Sequence, residues 1–258
     1  YTFNKTNLEL MLKNILIYNF LRVLPFKIIN YFKIYKFRLN ITLDNLIKDG
    51  IEINTVYDIG AFHGEWSQFL NKTSLKNKKF YCFEANDAHE EIIKKKGFEY
   101  SIGVLSDKKK EVEFYSMNHS GDSYYLEQTN FYKKDIKAIK KITSTLDDIV
   151  NEKKFTLPDL IKIDTQGAEI DILKGASNTI SKASLIYLEC PIVKYNLNAP
   201  NFNDYINYLE TINFLPYEIC EIHYINKVLV QIDIIFIKKE KLNEIFQGKK
   251  ILNLLNDI

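Results

Sequence analysis

Four acids and two glycines stand where they could grip a small charged ligand. Asp58 closes the apolar run TVYDI, and Gly60 and Gly64 bound the loop that follows. Glu84 ends the run KKFYCFEA, Asp164 ends LIKID and Glu189 ends LIYLE. Acids at the tips of neighbouring strands face the crevice where open parallel sheets bind ligands, and one about twenty residues beyond a glycine loop can accept both hydroxyls of an unmodified ribose.

The loop does not suit phosphates. A pyrophosphate loop needs GxGxxG, so that backbone can approach the phosphates. Aligned on Gly60, the second glycine is replaced by Phe62 and the third by Glu65, and no GxxxxGK[ST] occurs anywhere. The loop's free amides and the start of the next helix would instead receive a small carboxylate. A ribose and an amino-acid carboxylate with no phosphate between them describe S-adenosylmethionine.

Methyl transfer from a sulfonium also needs a base. The candidates are His63 in the glycine loop, His119 and Asp122 in the polar loop MNHSGDSYYLE, and Glu189 at its strand tip. Histidine titrates in a suitable range. Asp164 would lie near the cofactor's charges, accept from a substrate hydroxyl, or cap the helix after it. Lys162 shares its strand face and is expected to pair with it. His223 has no motif around it and reads as structural. No group of residues has metal-ligand spacing, so no metal is expected.

These tips need a scaffold. β-rich runs alternate with helical ones from residue 51: NTVYDIG then EWSQFLNK, KKFYCFEA then DAHEEIIKKKG closed by Gly97, FEYSIGVLS, and EVEFYSM as an added antiparallel strand. TSTLDDIVNEK follows as a helix with Thr143 or Ser144 near its cap, then LPDLIKIDT, GAEIDILKGAS, SLIYLEC, NFNDYINYLETIN and the β-rich VLVQIDIIFIKK. The pattern predicts an α/β fold: a mostly parallel sheet covered by helices on both faces, with a final antiparallel hairpin at an edge.

Residues 1–50 read as a separate helical, aromatic and basic segment, either a cap on the domain, a homo-oligomer contact or a membrane-surface contact through FKIINYFKIYKFRL. Residues 51–240 form the main domain. Residues 241–258, ending ILNLLNDI, form a helical tail that packs back.

Composition narrows the class. A formal net charge of +2 is too small for a nucleic-acid protein. Three cysteines without paired spacing predict neither disulfides nor a zinc site, and suit the reducing cytoplasm. No uncharged apolar run approaches the roughly 20 residues needed to span a bilayer.

DIGAFHGEW, FEAN, GVLSD, STLDDIV, LIKIDTQGAEIDILKGA and LIYLE occur in that order. Together, over roughly residues 54–190, they resemble the FkbM-type family of S-adenosylmethionine-dependent methyltransferases. The resemblance implies a Rossmann-like class I methyltransferase sheet of seven strands, the last antiparallel; the N-terminal helical extension lies outside the matched residues, and the family says little about it. It implies a cofactor site of Asp58, Gly60, Ala61, Phe62, Gly64, Glu84, Ala85, Ser106 and Asp164, and methylation of a hydroxyl on a sugar or natural product. A nucleotide-linked or surface-glycan sugar is the expected acceptor. Another hydroxylated metabolite, a silent cofactor-binding subunit and a nicotinamide enzyme are the rivals. Phe62, Ala85 and Gln166 depart from the residues common in the family, which are Asn, Pro and Glu.

Overall fold

The computed structural model describes residues 38–116, 121–129 and 137–246. His119, most of the N-terminal segment and the stretch ILNLLNDI lie outside them.

The main sheet contains β1 (Thr55–Ile59), β2 (Lys79–Glu84), β3 (Glu99–Ile102), β7 (Leu160–Ile163), β8 (Leu185–Pro191), β9 (Phe214–Ile225) and β10 (Val228–Lys238). Their spatial order is β3-β2-β1-β7-β8-β10-β9. β1, β2, β3, β7 and β8 pair in parallel, and β10 runs antiparallel to both of its neighbours. The last strand is therefore inserted within the sheet, and β9 forms the edge. The segment FLPYEICEIHYI, absent from the predicted strands, is that edge. Its Pro216 suits an outer strand, where a missing amide costs no ladder bond. A small second sheet joins β4 (Val104–Leu105), β6 (Lys137–Ser144) and β5 (Glu111–Ser116), with β5 antiparallel to β6 as the run EVEFYSM predicts.

Helices cover both faces. α1 (Arg38–Lys48) falls inside the predicted N-terminal segment, yet Leu43 and Leu46 are fully buried in one core cluster with Ile235 and Cys220. An Arg38–Glu218 ion pair of 2.5 Å ties this helix to β9. α2 (Glu65–Lys72) follows the glycine loop, and α3 (Glu90–Lys95) ends before Gly97, which has φ +80. α4 (Leu146–Lys153) is capped by Thr145, whose side chain accepts from the Asp148 amide. Thr143 and Ser144, the expected caps, instead end β6. Extended backbone at Thr145 lets its hydroxyl reach the amide three residues on. α5 (Glu169–Lys174), α6 (Thr179–Lys182), α7 (Phe202–Thr211) and α8 (Lys239–Ile245) complete the described helices. None is long and apolar enough to cross a membrane. All three cysteines are buried and free.

β1 and β7 are the central strands and are buried along their whole length. Parallel strands covered on both faces usually read as continuous apolar runs. Each of these carries one charged residue, and the two are register partners: Asp58 and Lys162. Their side chains meet at 3.0 Å, and Lys162 also donates to the Gly60 carbonyl at 2.9 Å. Burial works against the lysine's charge, but Asp58 and then Asp164 outweigh it and raise its pKa.

Breaking a buried pair leaves a bare charge, typically at a cost of about 3–5 kcal/mol. Lys162→Met is expected to destabilise by that amount in urea unfolding. Adding Asp58→Asn should recover at least about half of it. Equal losses in single and double variants would show that the lysine acts only through packing.

A crevice lined by carboxylates

The strand order reverses between β1 and β7, where open α/β sheets hold ligands beyond their carboxyl ends. A crevice opens there, lined from the ends of β1, β2 and β7 and the loops that follow them. Of the predicted site residues, Gly60, Phe62, Glu84, Ala85 and Asp164 line it, together with Asp122. Among the described residues, no lysine or arginine does.

The loop from β1 to α2 turns tightly. Gly60, Phe62 and Gly64 all have positive φ, at 73, 50 and 70°. A Cβ on Gly60 would lie 1.8 Å from the Asp164 carbonyl oxygen, so only glycine fits. Phe62 takes a left-handed conformation that costs a non-glycine residue of order 1–3 kcal/mol. Its ring stacks on His63 at 3.7 Å and meets His89 edge-on at 4.6 Å. His63 thus belongs to an aromatic cluster beside the crevice and does not line it. Burial, opposed by Glu65, lowers its pKa. His89 is 5% exposed and was not singled out in the sequence.

Glu84 holds the loop to β2. One carboxylate oxygen accepts the Phe62 amide at 2.7 Å and the other the Asn86 amide at 2.9 Å. Burial pushes its pKa up to about 7 against the pull of these two donors. The Gly60 and Ala61 amides both donate to the Phe83 carbonyl, and the Gly64 amide donates to Ala61. The expectation of free amides fails at these four positions, Phe62 included, because buried loop backbone must satisfy itself.

Several predicted residues lie behind the crevice lining. Asp58 is fully buried and accepts from Ser67 at 2.7 Å besides its pairing with Lys162. Ala61 packs with Cys82 and Ile93. Gly64 backs onto the Phe98 ring. Ser106 is fully buried, with its hydroxyl 3.2 Å from that of Tyr124. Asp122 lines the crevice but is engaged by Asn86 at 2.7 Å and Ser116 at 3.1 Å.

Asp164 lies near Lys162, at 3.6 Å, and shares a donor with Glu189. The Gln166 amide reaches Asp164 at 3.1 Å and Glu189 at 2.8 Å. Gln166 can do so because it too has positive φ, 57°. Burial and neighbouring acids raise the pKa of Glu189 well above the usual carboxylate range. The Tyr195 hydroxyl lies 3.3 Å from both Glu189 and Gln166. Tyr195 carries no signal in the sequence.

Glu169 shapes this loop from below. Buried at the start of α5, it accepts from the Thr165 amide at 2.8 Å, the Gly167 amide at 3.0 Å and the Tyr205 hydroxyl at 2.5 Å. Burial raises its pKa despite these donors.

The chain matches the sequence model of a family described as the methyltransferase FkbM domain over residues 58–218. No curated protein matches it. Among solved structures, a methyltransferase FkbM from Methylobacillus flagellatus is 16% identical, with TM-score 0.46, covering 71% of this chain and 43% of that one. The present chain thus spans less than half the length of that relative. An O-methyltransferase from Bacillus cereus, solved with SAH, is 12% identical, with TM-score 0.48, covering 91% and 92% of the two chains.

Glu169→Gln should turn an amide donor toward groups that are themselves donors. A loss of about 1–3 kcal/mol is expected in urea unfolding. Tyr205→Phe, which removes one donor from a well-satisfied carboxylate, should cost less, about 1 kcal/mol. The reverse ranking would deny the glutamate its role.

Proposed function

The chain belongs to the FkbM family of S-adenosylmethionine-dependent methyltransferases, and from that premise we propose that it methylates a hydroxyl oxygen of a carbohydrate. The observation that carries this reading is the charge of the crevice. Glu84, Asp122 and Asp164 line it, and no lysine or arginine of the described residues does. A pyrophosphate would meet repulsion there. A cofactor bearing a sulfonium and an ammonium fits the donor set. Bound there, S-adenosylmethionine supplies an electrophilic methyl group.

The chain's own residues then have distinct tasks. Glu84 still has lone pairs free beyond its two amide bonds and accepts ribose hydroxyls. Phe62 offers an apolar wall. Asp164 faces the cationic part. On the far side, Asp164, Glu189, Gln166 and Tyr195 present acceptors and donors in a cluster, which suits a molecule with several hydroxyls. With S-adenosylmethionine bound, Asp164 would be placed to take the proton of the acceptor hydroxyl; burial raises its pKa against the opposing pull of Lys162. Alignment of the reacting atoms supplies the larger share, up to roughly 7–11 kcal/mol in favourable cases. A placed base contributes about 10²–10⁴-fold.

S-adenosylmethionine should raise the melting temperature, and NADH should not. Glu84→Ala should weaken S-adenosylmethionine binding at least about tenfold by calorimetry, the scale of one lost charge-assisted contact. Stabilisation by NADH alone would overturn the reading. Labelled methyl should appear on members of a glycan panel, and transfer only to non-sugar hydroxyls would refute the carbohydrate acceptor.

A pH dependence follows from Glu84. Its pKa of about 7 means that protons occupy it increasingly below neutrality. If the ionised form binds the ribose, affinity falls as pH drops below 7, approaching about tenfold per unit. Glu84→Gln should remove that slope, and an unchanged slope would place the titrating group elsewhere.

A further inference from the structure

The row of acids does not stop at Glu189. Asp233 on β10 is the register partner of Glu189, and Glu221 on β9 is the register partner of Asp233. His223 lies two rungs beyond, opposite Gln231 and on the same face. Register partners point to one face of a sheet, so Asp233, Glu221 and His223 project together on the face that carries Glu189. The three rungs from Asp233 to Gln231 are bounded on both sides by register shifts. Such bulges re-aim side chains and recur beside functional sites.

Three ligand atoms converge there. The His223 Nε2 lies 3.4 Å from an Asp233 oxygen and 3.6 Å from a Glu221 oxygen, and all three atoms fall within 4.8 Å of one another. The nitrogen is screened from solvent and has no hydrogen-bond partner. Both separations exceed the usual 2.7–3.2 Å of a hydrogen bond. They are close to the edge, about 3.3–3.4 Å, of a tetrahedron with metal–ligand bonds near 2.0–2.1 Å. The other Asp233 oxygen accepts the Tyr187 hydroxyl at 3.0 Å, which fixes the carboxylate as outer-shell partners of metal ligands do.

We infer that Glu221, His223 and Asp233 form a binding site for a divalent transition ion of the zinc or manganese class, at the acceptor end of the carboxylate row. One imidazole and two carboxylates are a borderline donor set, suited to zinc, cobalt and manganese ahead of magnesium. Three protein ligands leave room for an exogenous oxygen. The side chains of His223 and Glu221 are 40% and 38% exposed, so such an oxygen has access. The ion site stands on its own geometry. Its service to an acceptor hydroxyl rests on the methyltransferase reading.

The test uses the full chain after treatment with a chelator. Zinc is titrated calorimetrically, and cobalt(II) by its visible absorption, which reports ligand number and imidazole coordination. One ion per chain with micromolar affinity is expected. His223→Ala and Asp233→Asn should each weaken it at least tenfold, and the cobalt spectrum should be lost in His223→Ala. Glu152→Gln, an exposed acid on α4, should leave binding unchanged. His223→Gln serves as a second variant if the alanine variant unfolds. Absence of saturable binding, or equal affinity in the His223 variants, would make the cluster an ion pair of protonated histidine and end the proposal. S-adenosylmethionine binding by the same proteins is measured separately, so failure of the cofactor reading is distinguishable from failure of the ion site.

Discussion

One buried cation underlies the acidic face of the sheet. Lys162 holds Asp58 at 3.0 Å and the Gly60 carbonyl at 2.9 Å, so it ties both central strands and the loop between β1 and α2 to a single point. A lysine in this position loses hydration, and Asp58 with Asp164 more than restores its preference for charge. Without it, Asp58 would be an unpaired carboxylate in the core. The Gly60 carbonyl would lose a donor, and the tight approach of Gly60 to the Asp164 backbone would lose its anchor. Removing one partner of such a pair costs far more than the pair contributes net. The placement therefore sets geometry more than it adds stability.

Apart from the contact of Lys162 with Asp164, the remaining acids of the site are held by neutral donors. Glu84 takes two backbone amides, Glu169 takes amides and a tyrosine hydroxyl, and Asp164 and Glu189 divide one glutamine amide. Neutral donors fix a carboxylate's orientation without cancelling its charge. Among the described residues, no lysine or arginine lines the crevice that Glu84, Asp122 and Asp164 share. The cost appears as raised pKa values at Glu84 and Glu189, both caused chiefly by burial.

The scaffold was largely legible in the sequence, because alternating β-rich and helical runs report burial directly. The misses have local causes. β9 mixes Pro216 and acids with apolar residues, the pattern of an edge strand exposed on one side. Thr145 competes with Thr143 and Ser144 for the cap, and only backbone geometry decides among them. At the site, acids at strand tips were readable, but their partners were not. Asp58 and Glu84 look alike as strand-end acids, yet one is locked beneath the loop and the other faces the crevice. Glu169 bonds Tyr205, 36 residues away, and no local pattern foretells that. His223 lacked a motif because its companions come from two strands, each contributing alternate residues, and ligand spacing is a property of the sheet.

The row of acids across β7, β8, β10 and β9 divides by chemistry along its length. Asp164 and Glu189 are bridged by one neutral amide and stay next to the crevice, where the proposed reaction would place a sulfonium's charge and an acceptor's proton. Asp233 and Glu221 lie further out, with an imidazole as companion. Two carboxylates and a neutral imidazole around a divalent ion sum to zero charge. Occupation of that end would spare the inner pair from the repulsion of Asp233, one of the causes that lift the pKa of Glu189. The pKa values of the inner acids would then fall back toward the ordinary carboxylate range. An ion several positions along the sheet could in this way tune proton removal without touching the methyl group.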